Sequence, residues 1–311
     1  MVIASIVLVV LLVAVLLGAY YAYRMTFFVP KQRSEDYHML PTGEQYEQHR
    51  EHLRACIDRL HALPFEKVEI RAYDGKKLFG RYYHVAEGAP VQIQFHGYRG
   101  SAMRDLCGGA PLAFKLGHNV LLVDQRAHGG SEGNAITFGV LERRDCQSWC
   151  RYARQRFGDQ IPLVLVGVSM GAATVLMASD MELPQSVKAV VADCPFSSPK
   201  EIICQVAGDL GLPAKAAGAF CSLGAVVYGR FRLGSASAVE SVKRTKLPIL
   251  LLHGEDDRYV PCGMSRQIYD ACGSQAQLET FPGAAHGMCY MQDPKRYESA
   301  VGSFLQTHLA G

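Results

Sequence analysis

The chain has 311 residues, of which 49% are hydrophobic and 20% are charged, and its formal net charge is +3. These proportions are ordinary for a globular protein and exclude an intrinsically disordered chain. The small net charge, without a basic stripe that carries interleaved aromatic residues, argues against a nucleic-acid partner. Beyond the first thirty residues or so, the chain is long enough for one large domain with a well-buried core.

Ten cysteines are spread along the chain with no C-x-x-C pair and no zinc-ligand spacing. A long chain with a large core does not need the disulfides that hold small scaffolds together. Cys146 and Cys150 lie one helical turn apart, but no nearby histidine completes a metal site. We therefore expect free and mostly buried thiols, a reducing compartment, and neither a metal nor an organic cofactor.

Residues 2–22 form an almost unbroken apolar run, interrupted only by Ser5 and Gly18. About twenty such residues span the hydrocarbon core of a bilayer as a helix. No Lys or Arg precedes the run, as a cleaved signal peptide would require, and tyrosines follow it as in an interfacial aromatic belt. We expect residues 1–24 to be a single-pass transmembrane anchor, with a cleaved signal peptide as the alternative.

The basic residues near the anchor indicate its orientation. Arg24, Lys31 and Arg33 all follow the apolar run. The positive-inside rule then places the following domain in the cytoplasm, and the unpatterned cysteines favour the same side. The alternative is the outer side, because bacterial surface enzymes also use N-terminal anchors.

Residues 25–63 are expected to link this anchor to a domain at 64–311. The second part of the linker, residues 44–62, has the pattern of an amphipathic helix that packs on the domain or connects it to the membrane. Its apolar positions recur at three- and four-residue spacing, at Leu53, Ile57 and Leu60.

After Pro64, seven stretches have the composition of strands. The first two, 68–73 and 77–85, flank Asp74-Gly75, a strong hairpin signal. The other five are mostly continuous Val, Leu and Ile runs: 91–97, 119–126, 162–169, 187–194 and 247–254. Helical stretches, such as 139–157 and 171–179, separate them. This alternation predicts an α/β fold with a mostly parallel central sheet, helices on both faces and an antiparallel hairpin at one edge.

The segment Gly167-Val168-Ser169-Met170-Gly171 has the G-x-S-x-G pattern and lies between a buried strand and a helix. A sharp strand-to-helix turn of this kind exposes the serine hydroxyl, and the glycines avoid the clashes that side chains would make there. The helix N-terminus also favours a developing anion. We predict that Ser169 is a nucleophile; the alternative is a serine that only caps the helix.

A serine hydroxyl is a poor nucleophile until a base removes its proton. Downstream, the strand at 247–254 leads to Asp256 and Asp257, and a later loop carries His286. The order Ser, Asp, His is that of α/β-hydrolases and differs from the chymotrypsin and subtilisin orders. We expect His286 to take the Ser169 proton and Asp257 to orient the imidazole, with Asp256 as the alternative acid.

Four motifs follow one another at the boundaries of the predicted elements: HGYRGS (96–101), DQRAHGGSEG (124–133), GVSMG (167–171) and HGEDDRYVP (253–261). They resemble those of the serine aminopeptidase S33 and monoacylglycerol lipase-like superfamily of α/β-hydrolases, above all its membrane-anchored bacterial members. The similarity covers roughly residues 65–309.

The resemblance implies an α/β-hydrolase fold and assigns roles to particular residues. The pattern H-G-x-x-D-x-x-V-P makes Asp257 the acid. The backbone N–H groups of Tyr98 and Met170 become the donors that stabilise an oxyanion. The remaining polar residues near strand ends are interpreted as structural: His96, His128, His253, Asp124 and Asp193.

The resemblance also implies a small helical cap over the site, formed by an insertion at about 196–245. Its larger apolar residues would line an acyl pocket or, alternatively, pack on the sheet: Leu210, Leu212, Phe220, Leu223, Val226 and Tyr228. A small cap indicates a fairly open site, which would suit short or medium acyl esters.

Together these patterns predict a serine hydrolase that transfers an acyl group to water through an acyl-Ser169 intermediate. A small-molecule or lipid-like carboxylic ester is the expected substrate, since esters need less leaving-group assistance than amides and the anchor holds the enzyme beside lipids. The alternatives on the same residues are a peptidase or amidase and a thioesterase or acyltransferase. A further alternative is a non-enzymatic, membrane-tethered binding protein.

Overall fold

The computed structural model describes residues 1–30, 40 and 43–309. Lys31 and Arg33, on which the expected orientation partly depends, lie outside the described residues. The described strands are β1 (Glu66–Arg71), β2 (Lys77–Tyr83), β3 (Val91–Phe95), β4 (Asn119–Val123), β5 (Leu163–Val168), β6 (Val187–Asp193), β7 (Ile249–Gly254) and β8 (Ala276–Phe281). The described helices are α1 (Val2–Thr26), α2 (Glu44–Glu47), α3 (Arg50–His61), α4 (Ala102–Asp105), α5 (Gly109–Lys115), α6 (Glu142–Phe157), α7 (Met170–Ala178), α8 (Pro199–Asp209), α9 (Ala214–Val227), α10 (Ala238–Val242), α11 (Gly263–Ala271), α12 (Cys289–Gln292) and α13 (Pro294–Leu309).

The strands form one sheet in the order β1-β2-β4-β3-β5-β6-β7-β8. The pairs β1-β2 and β2-β4 are antiparallel, and the other five pairs are parallel. The predicted mostly parallel sheet with a hairpin at one edge is therefore confirmed, and Gly75 supplies the positive φ of 82° in the turn. The edge strand β8 was not predicted, because its polar residues Gln277 and Glu279 interrupt the apolar run that marks the inner strands.

Successive strand residues point to opposite faces of the sheet and enter different parts of the core. In β4, Leu121 and Val123 pack on one face, whereas Val120 and Leu122 pack on the other. Helices α6, α7, α10 and α11 cover the first face. Helices α3, α5 and α13 cover the second face, so the prediction of helices on both faces is also confirmed.

The amphipathic helix predicted at 44–62 is divided into α2 and α3 by a turn at Gln48-His49. In α3, the predicted apolar positions pack against the sheet: Leu53, Ile57 and Leu60. Because of this turn, α2 packs independently of α3, and its Tyr46 side chain is buried.

The N-terminal helix α1 is long and apolar enough to cross a membrane, and it lies where a signal sequence would also lie. Residues 2–15 are exposed at every position. Nearer its end, Ala19 and Tyr23 are buried, and Gly18 packs against the ring of Phe220 in α9. The first part of α1 is therefore free of the domain, and the last part is packed on it.

The residues that follow α1 are part of the core of the domain. Phe27 is fully buried, with its ring centre 5.8 Å from that of Phe138 and 5.2 Å from that of Phe231. The next residues pair with a loop, since the N–H of Val29 donates to the carbonyl of Asn134 at 2.9 Å. The end of α1 thus belongs to the same packing unit as the sheet.

Helices α8 and α9 pack against each other, and with α10 they lie in the predicted insertion at about 196–245. Helix α9 turns its small residues inward: Gly218, Cys221, Gly224 and Ala225. The larger residues of α9 point outward, because only small residues allow this helix to pack closely against its neighbours. Of the apolar residues expected to line an acyl pocket, five are exposed instead: Leu210, Leu212, Phe220, Val226 and Tyr228. That expectation is corrected for these five, and Leu223 is partly buried.

The burial of Phe27 gives a testable prediction about the end of α1. We expect Phe27→Ala to lower the free energy of unfolding by about 3–5 kcal/mol, because the substitution leaves a cavity among the rings of Tyr23, Phe138 and Phe231. The measurement is thermal or denaturant unfolding of the full chain in detergent. Phe65→Ala, at a phenylalanine that is 37% exposed, is the control and should cost about 1 kcal/mol or less. Equal losses for both variants would contradict the packing described here.

Candidate active site

Ser169 lies at the turn between β5 and α7, in a conformation that side chains rarely adopt. Its φ is 55° and its ψ is −116°. A Cβ on Gly171 would lie 2.1 Å from the carbonyl oxygen of Phe95, and one on Gly167 would lie 2.3 Å from the backbone of Gly171. Both glycines are therefore required, and the predicted sharp strand-to-helix turn is present.

The structure brings together the three residues predicted to form a triad. The Ser169 hydroxyl lies 2.9 Å from Nε2 of His286, and Nδ1 of His286 lies 2.6 Å from Oδ2 of Asp257. They follow β5, β7 and β8, whose carboxyl ends meet at one edge of the parallel sheet. Asp256, the alternative acid, is exposed and lies outside this chain of hydrogen bonds.

The Asp257 carboxylate is buried and accepts several hydrogen bonds. Its Oδ1 accepts the N–H groups of Tyr259 and Val260 at 2.9 and 2.8 Å. His253 Nε2 lies 3.3 Å from its Oδ2. Burial opposes ionisation, but the charge of His286 and these hydrogen bonds prevail and hold the pKa of Asp257 well below its usual range. Asp257 therefore remains a carboxylate beside the imidazole.

His253 supports this loop and matches its interpretation as a core histidine. Its ring is fully buried. Nε2 donates to the carbonyl of Val260 at 2.8 Å, and Nδ1 lies 2.6 Å from the hydroxyl of Ser265. The ring therefore holds the loop that carries Asp257 against α11, which carries Ser265.

The charges around His286 favour its protonated form. Burial disfavours its charged form, but the carboxylates of Asp257, Asp193 and Asp105 outweigh burial and raise the pKa of His286 above its ordinary value. The Tyr46 hydroxyl donates to the His286 carbonyl at 3.2 Å and fixes this loop from outside the sheet. Sequence analysis missed Tyr46, although it lies seven residues before Leu53, on the apolar side of the helical pattern.

The loop after β3 passes directly beside Ser169. A Cβ on Gly97 would lie 3.4 Å from Cβ of Ser169. The N–H of Gly97 donates to Oδ2 of Asp105 at 2.9 Å, which fixes the loop. Within the described part of the chain, the N–H groups of Tyr98 and Met170 form no hydrogen bond with another group. Their role as oxyanion donors stays a prediction.

Tyr98 connects this loop to the end of α1. Its phenol donates to the carbonyl of Thr26 at 2.7 Å, and its ring stacks on that of Phe138 at 4.9 Å. The neighbouring Arg99 guanidinium donates to the carbonyl of Met25 at 2.8 Å. The loop after β3 is therefore held in part by the N-terminal helix.

His96 and His128 hold the same loop in neutral form, in agreement with their interpretation as structural residues. His96 Nε2 accepts the N–H of Gln125 at 3.0 Å, and His128 Nε2 accepts the N–H of Arg99 at 3.1 Å. Burial lowers the pKa of both rings, that of His128 to about 3. The carboxylate of Asp124 fixes the next loop by accepting from Arg81 and from the N–H of Gly130.

Among the residues described, Cys194 joins Asp257 and His286 in a group that could hold a metal ion. Its sulfur, a carboxylate oxygen of Asp257 and a ring nitrogen of His286 lie within 4.8 Å of one another. Burial raises the pKa of the Cys194 thiol well above its ordinary value, which opposes the thiolate that a metal needs. The neighbouring Asp193 is also buried, and burial raises its pKa to about 6. Its backbone carbonyl accepts the N–H of Ser169.

The sequence matches the Alpha/beta hydrolase family over residues 95–300, and the chain belongs to this family. It is also similar to the uncharacterized protein YqkD of Bacillus subtilis. The two are 25% identical over 247 residues, which cover 78% of this chain and 81% of YqkD. The narrower resemblance to the S33 and monoacylglycerol lipase-like enzymes stays a prediction.

Two solved structures share the architecture. The esterase Pf2001 of Pyrococcus furiosus superposes with a TM-score of 0.63 at 23% identity, over 80% of this chain and 95% of that one. Est1E of Butyrivibrio proteoclasticus, with ferulic acid bound, superposes with a TM-score of 0.62 at 22% identity, over 78% of this chain and 100% of that one. The α/β-hydrolase fold predicted from the sequence is confirmed.

The charge balance at His286 can be tested by removing one carboxylate. We expect Asp257→Asn to lower the pKa of His286, because burial still disfavours the imidazolium while the nearest negative charge is lost. The measurement is an NMR titration of labelled histidines in the full chain, with His286 assigned through His286→Gln. Asp256→Asn is the matched control and should leave the titration unchanged. A larger shift in the control would make Asp256 the partner of His286.

Proposed function

We propose that this protein is a serine hydrolase that cleaves a carboxylic ester through an acyl-Ser169 intermediate. The observation that carries the proposal is the continuous pair of hydrogen bonds, from Ser169 to His286 at 2.9 Å and from His286 to Asp257 at 2.6 Å. The strained backbone of Ser169 supports it, because backbone strain of this kind clusters at functional sites.

In the acylation step, Ser169 Oγ attacks the ester carbonyl carbon while its proton passes to Nε2 of His286. The carbonyl oxygen becomes an oxyanion, which the N–H groups of Tyr98 and Met170 stabilise by several kcal/mol. His286 then gives the proton to the alkoxy oxygen as the carbon–oxygen bond breaks, and the alcohol leaves. Asp257 remains ionised and stabilises the imidazolium throughout.

In the deacylation step, a water molecule attacks the acyl-Ser169 carbonyl and His286 takes its proton. The second oxyanion collapses, and the bond to Ser169 Oγ breaks. The proton on His286 returns to Ser169, and the carboxylic acid is released. After acylation and deacylation, the triad has returned to its starting charge and protonation. It therefore needs no metal or organic cofactor for this chemistry.

An ester is favoured over the alternatives for a chemical reason and by analogy. Esters have better leaving groups than amides, and the two superposed proteins are named as an esterase and as one with ferulic acid bound. A peptidase or amidase and a thioesterase or acyltransferase would use the same three residues. A non-enzymatic binding protein would have no need for the strained Ser169 turn or for an ionised Asp257 in a buried place.

We also infer that α1 is retained as a membrane anchor. Cleavage of a signal sequence after α1 would remove Ala19 and Tyr23, which are buried against the domain. The free thiols of all ten cysteines and the position of Arg24 after the apolar run support a domain on the cytoplasmic side. Helices α8 to α10 would form the cap.

The nucleophile can be tested with a series of p-nitrophenyl esters, from acetate to palmitate, and the full chain in detergent. We expect Ser169→Ala to lower kcat by about 10⁴-fold or more, because no other group can form the acyl intermediate. Ser148→Ala, in helix α6, is the matched control and should leave turnover unchanged. No turnover by folded wild type, together with no labelling by a fluorophosphonate probe, would refute the hydrolase function.

The raised pKa of His286 also predicts the pH profile. Below that pKa the imidazole is protonated and cannot accept the Ser169 proton, so kcat/KM should rise with pH. The midpoint of this rise should lie above the ordinary histidine value of about 6.5, because Asp257 raises the pKa. The measurement is kcat/KM for a soluble ester across the neutral range. A midpoint below the ordinary value would contradict the charge balance described above.

A further inference from the structure

The N-terminal helix α1 and helix α9 pack closely against each other. The carbonyl of Ala19 lies so close to Gly224 that a Cβ there would be only 2.5 Å away. The phenol of Tyr228 donates to the carbonyl of Leu16 at 3.0 Å, and its ring meets that of Tyr20 edge-on at 5.2 Å. Backbone contact of this kind fixes the depth of α9 relative to α1.

The length of α1 that is free of the domain is too short to cross a bilayer alone. Residues 2–15, exposed at every position, extend over only about 21 Å at the rise of an α-helix. The hydrocarbon core of a bilayer is about 30 Å thick. A bilayer that covers the apolar run must therefore also cover about 9 Å of the part of α1 that lies beside α9.

The side chains exposed on α8, on α9 and on the residues between these helices are mostly apolar. The larger apolar ones are Val206, Leu210, Leu212, Phe220, Val226 and Val227. Asp209 and Lys215 are the charged side chains exposed between Val206 and Val227. Tyr20, Tyr21 and Tyr228 are exposed beside them, as in the aromatic belt of a membrane interface. We call the six apolar residues and Tyr228 the α8–α9 face.

Two cationic side chains lie where α1 ends. Arg24 is exposed in the last turn of α1, and the exposed Arg99 donates to the carbonyl of Met25. Cations at this level are complementary to the anionic headgroups of a bilayer.

We propose that the α8–α9 face is immersed, beside α1, in the headgroup side of the bilayer leaflet that faces the domain. The depth of about 9 Å agrees with the 5–10 Å to which interfacial helices enter a membrane. Tyr98 then joins the membrane surface to the site, because its phenol contacts Thr26 of α1 and the loop that carries it passes beside Ser169. Given the proposed hydrolase function, an ester dissolved in the bilayer reaches Ser169 without crossing water.

The immersion of the α8–α9 face can be measured without any enzymatic activity. Val227→Trp places a fluorophore on the face, in the full chain reconstituted into phosphatidylcholine vesicles whose acyl chains are brominated near the headgroup. Val85→Trp is the matched control. Val85 is similarly exposed, 41% against 44% for Val227, and lies at the amino end of the parallel strands, away from Ser169. Wild-type emission, from the buried Trp149, is subtracted.

We expect brominated lipid to quench the indole introduced by Val227→Trp strongly and the indole introduced by Val85→Trp weakly. Equally weak quenching in the two variants would overturn the proposal. Emission from the Val227→Trp variant that is shifted to the blue but unquenched would overturn it as well, and would indicate that a second copy of the chain covers the face instead.

A kinetic comparison tests the consequence for substrate access. Val227→Asp should lower turnover of a long-chain fluorogenic ester dissolved in vesicles by about tenfold, because a carboxylate is costly in the hydrocarbon region. Turnover of p-nitrophenyl acetate in water should not change, and Val85→Asp should affect neither substrate. Equal effects of Val227→Asp on both esters would overturn the proposed access. A wild type that hydrolyses neither ester would refute the hydrolase function and leave the quenching result to decide immersion.

Discussion

The turn at Ser169 is the constraint on which the rest of the site depends. Strand β5 ends and helix α7 begins within two residues, and α7 starts against the backbone of β3, so neither Gly167 nor Gly171 can carry a side chain. The N–H of Ser169 is held by the carbonyl of Asp193 at the end of β6. Strands β3 and β6 therefore fix the position of Ser169. The loops after β7 and β8 bring Asp257 and His286 to it.

The electrostatics of the site follow from burial and from which groups are paired. Asp257 is buried but ionised, because backbone N–H groups and two histidines surround it. His286 faces that carboxylate and has a raised pKa, whereas His96 and His128 are buried without such a partner and have lowered pKa values. Three histidines close to one site thus differ in their tendency to bind a proton, because only His286 lies beside an ionised carboxylate.

The N-terminal helix has two environments that meet at its middle. Its first half is free and apolar, and its second half shares backbone contacts with α9 and hydrogen bonds with the loop of Tyr98. A helix that served only as a tether would not need Phe27 in the core of the domain. The contacts instead link the second half of this helix to the loop after β3, which passes beside Ser169.

The sequence by itself determined the features that depend on local pattern: the buried strands, the apolar first helix, the G-x-S-x-G turn and the order of Ser169, the Asp256-Asp257 pair and His286. Only the tertiary structure decided which of two adjacent carboxylates meets a histidine 29 residues away, and that this histidine lies beside a serine 117 residues away. It also decided the break in the helix at 44–62, the role of Tyr46, the edge strand β8 and the outward direction of the large side chains of α9. The physical reason is that periodicity reports which residues are buried, whereas their partners are set by contacts between distant segments.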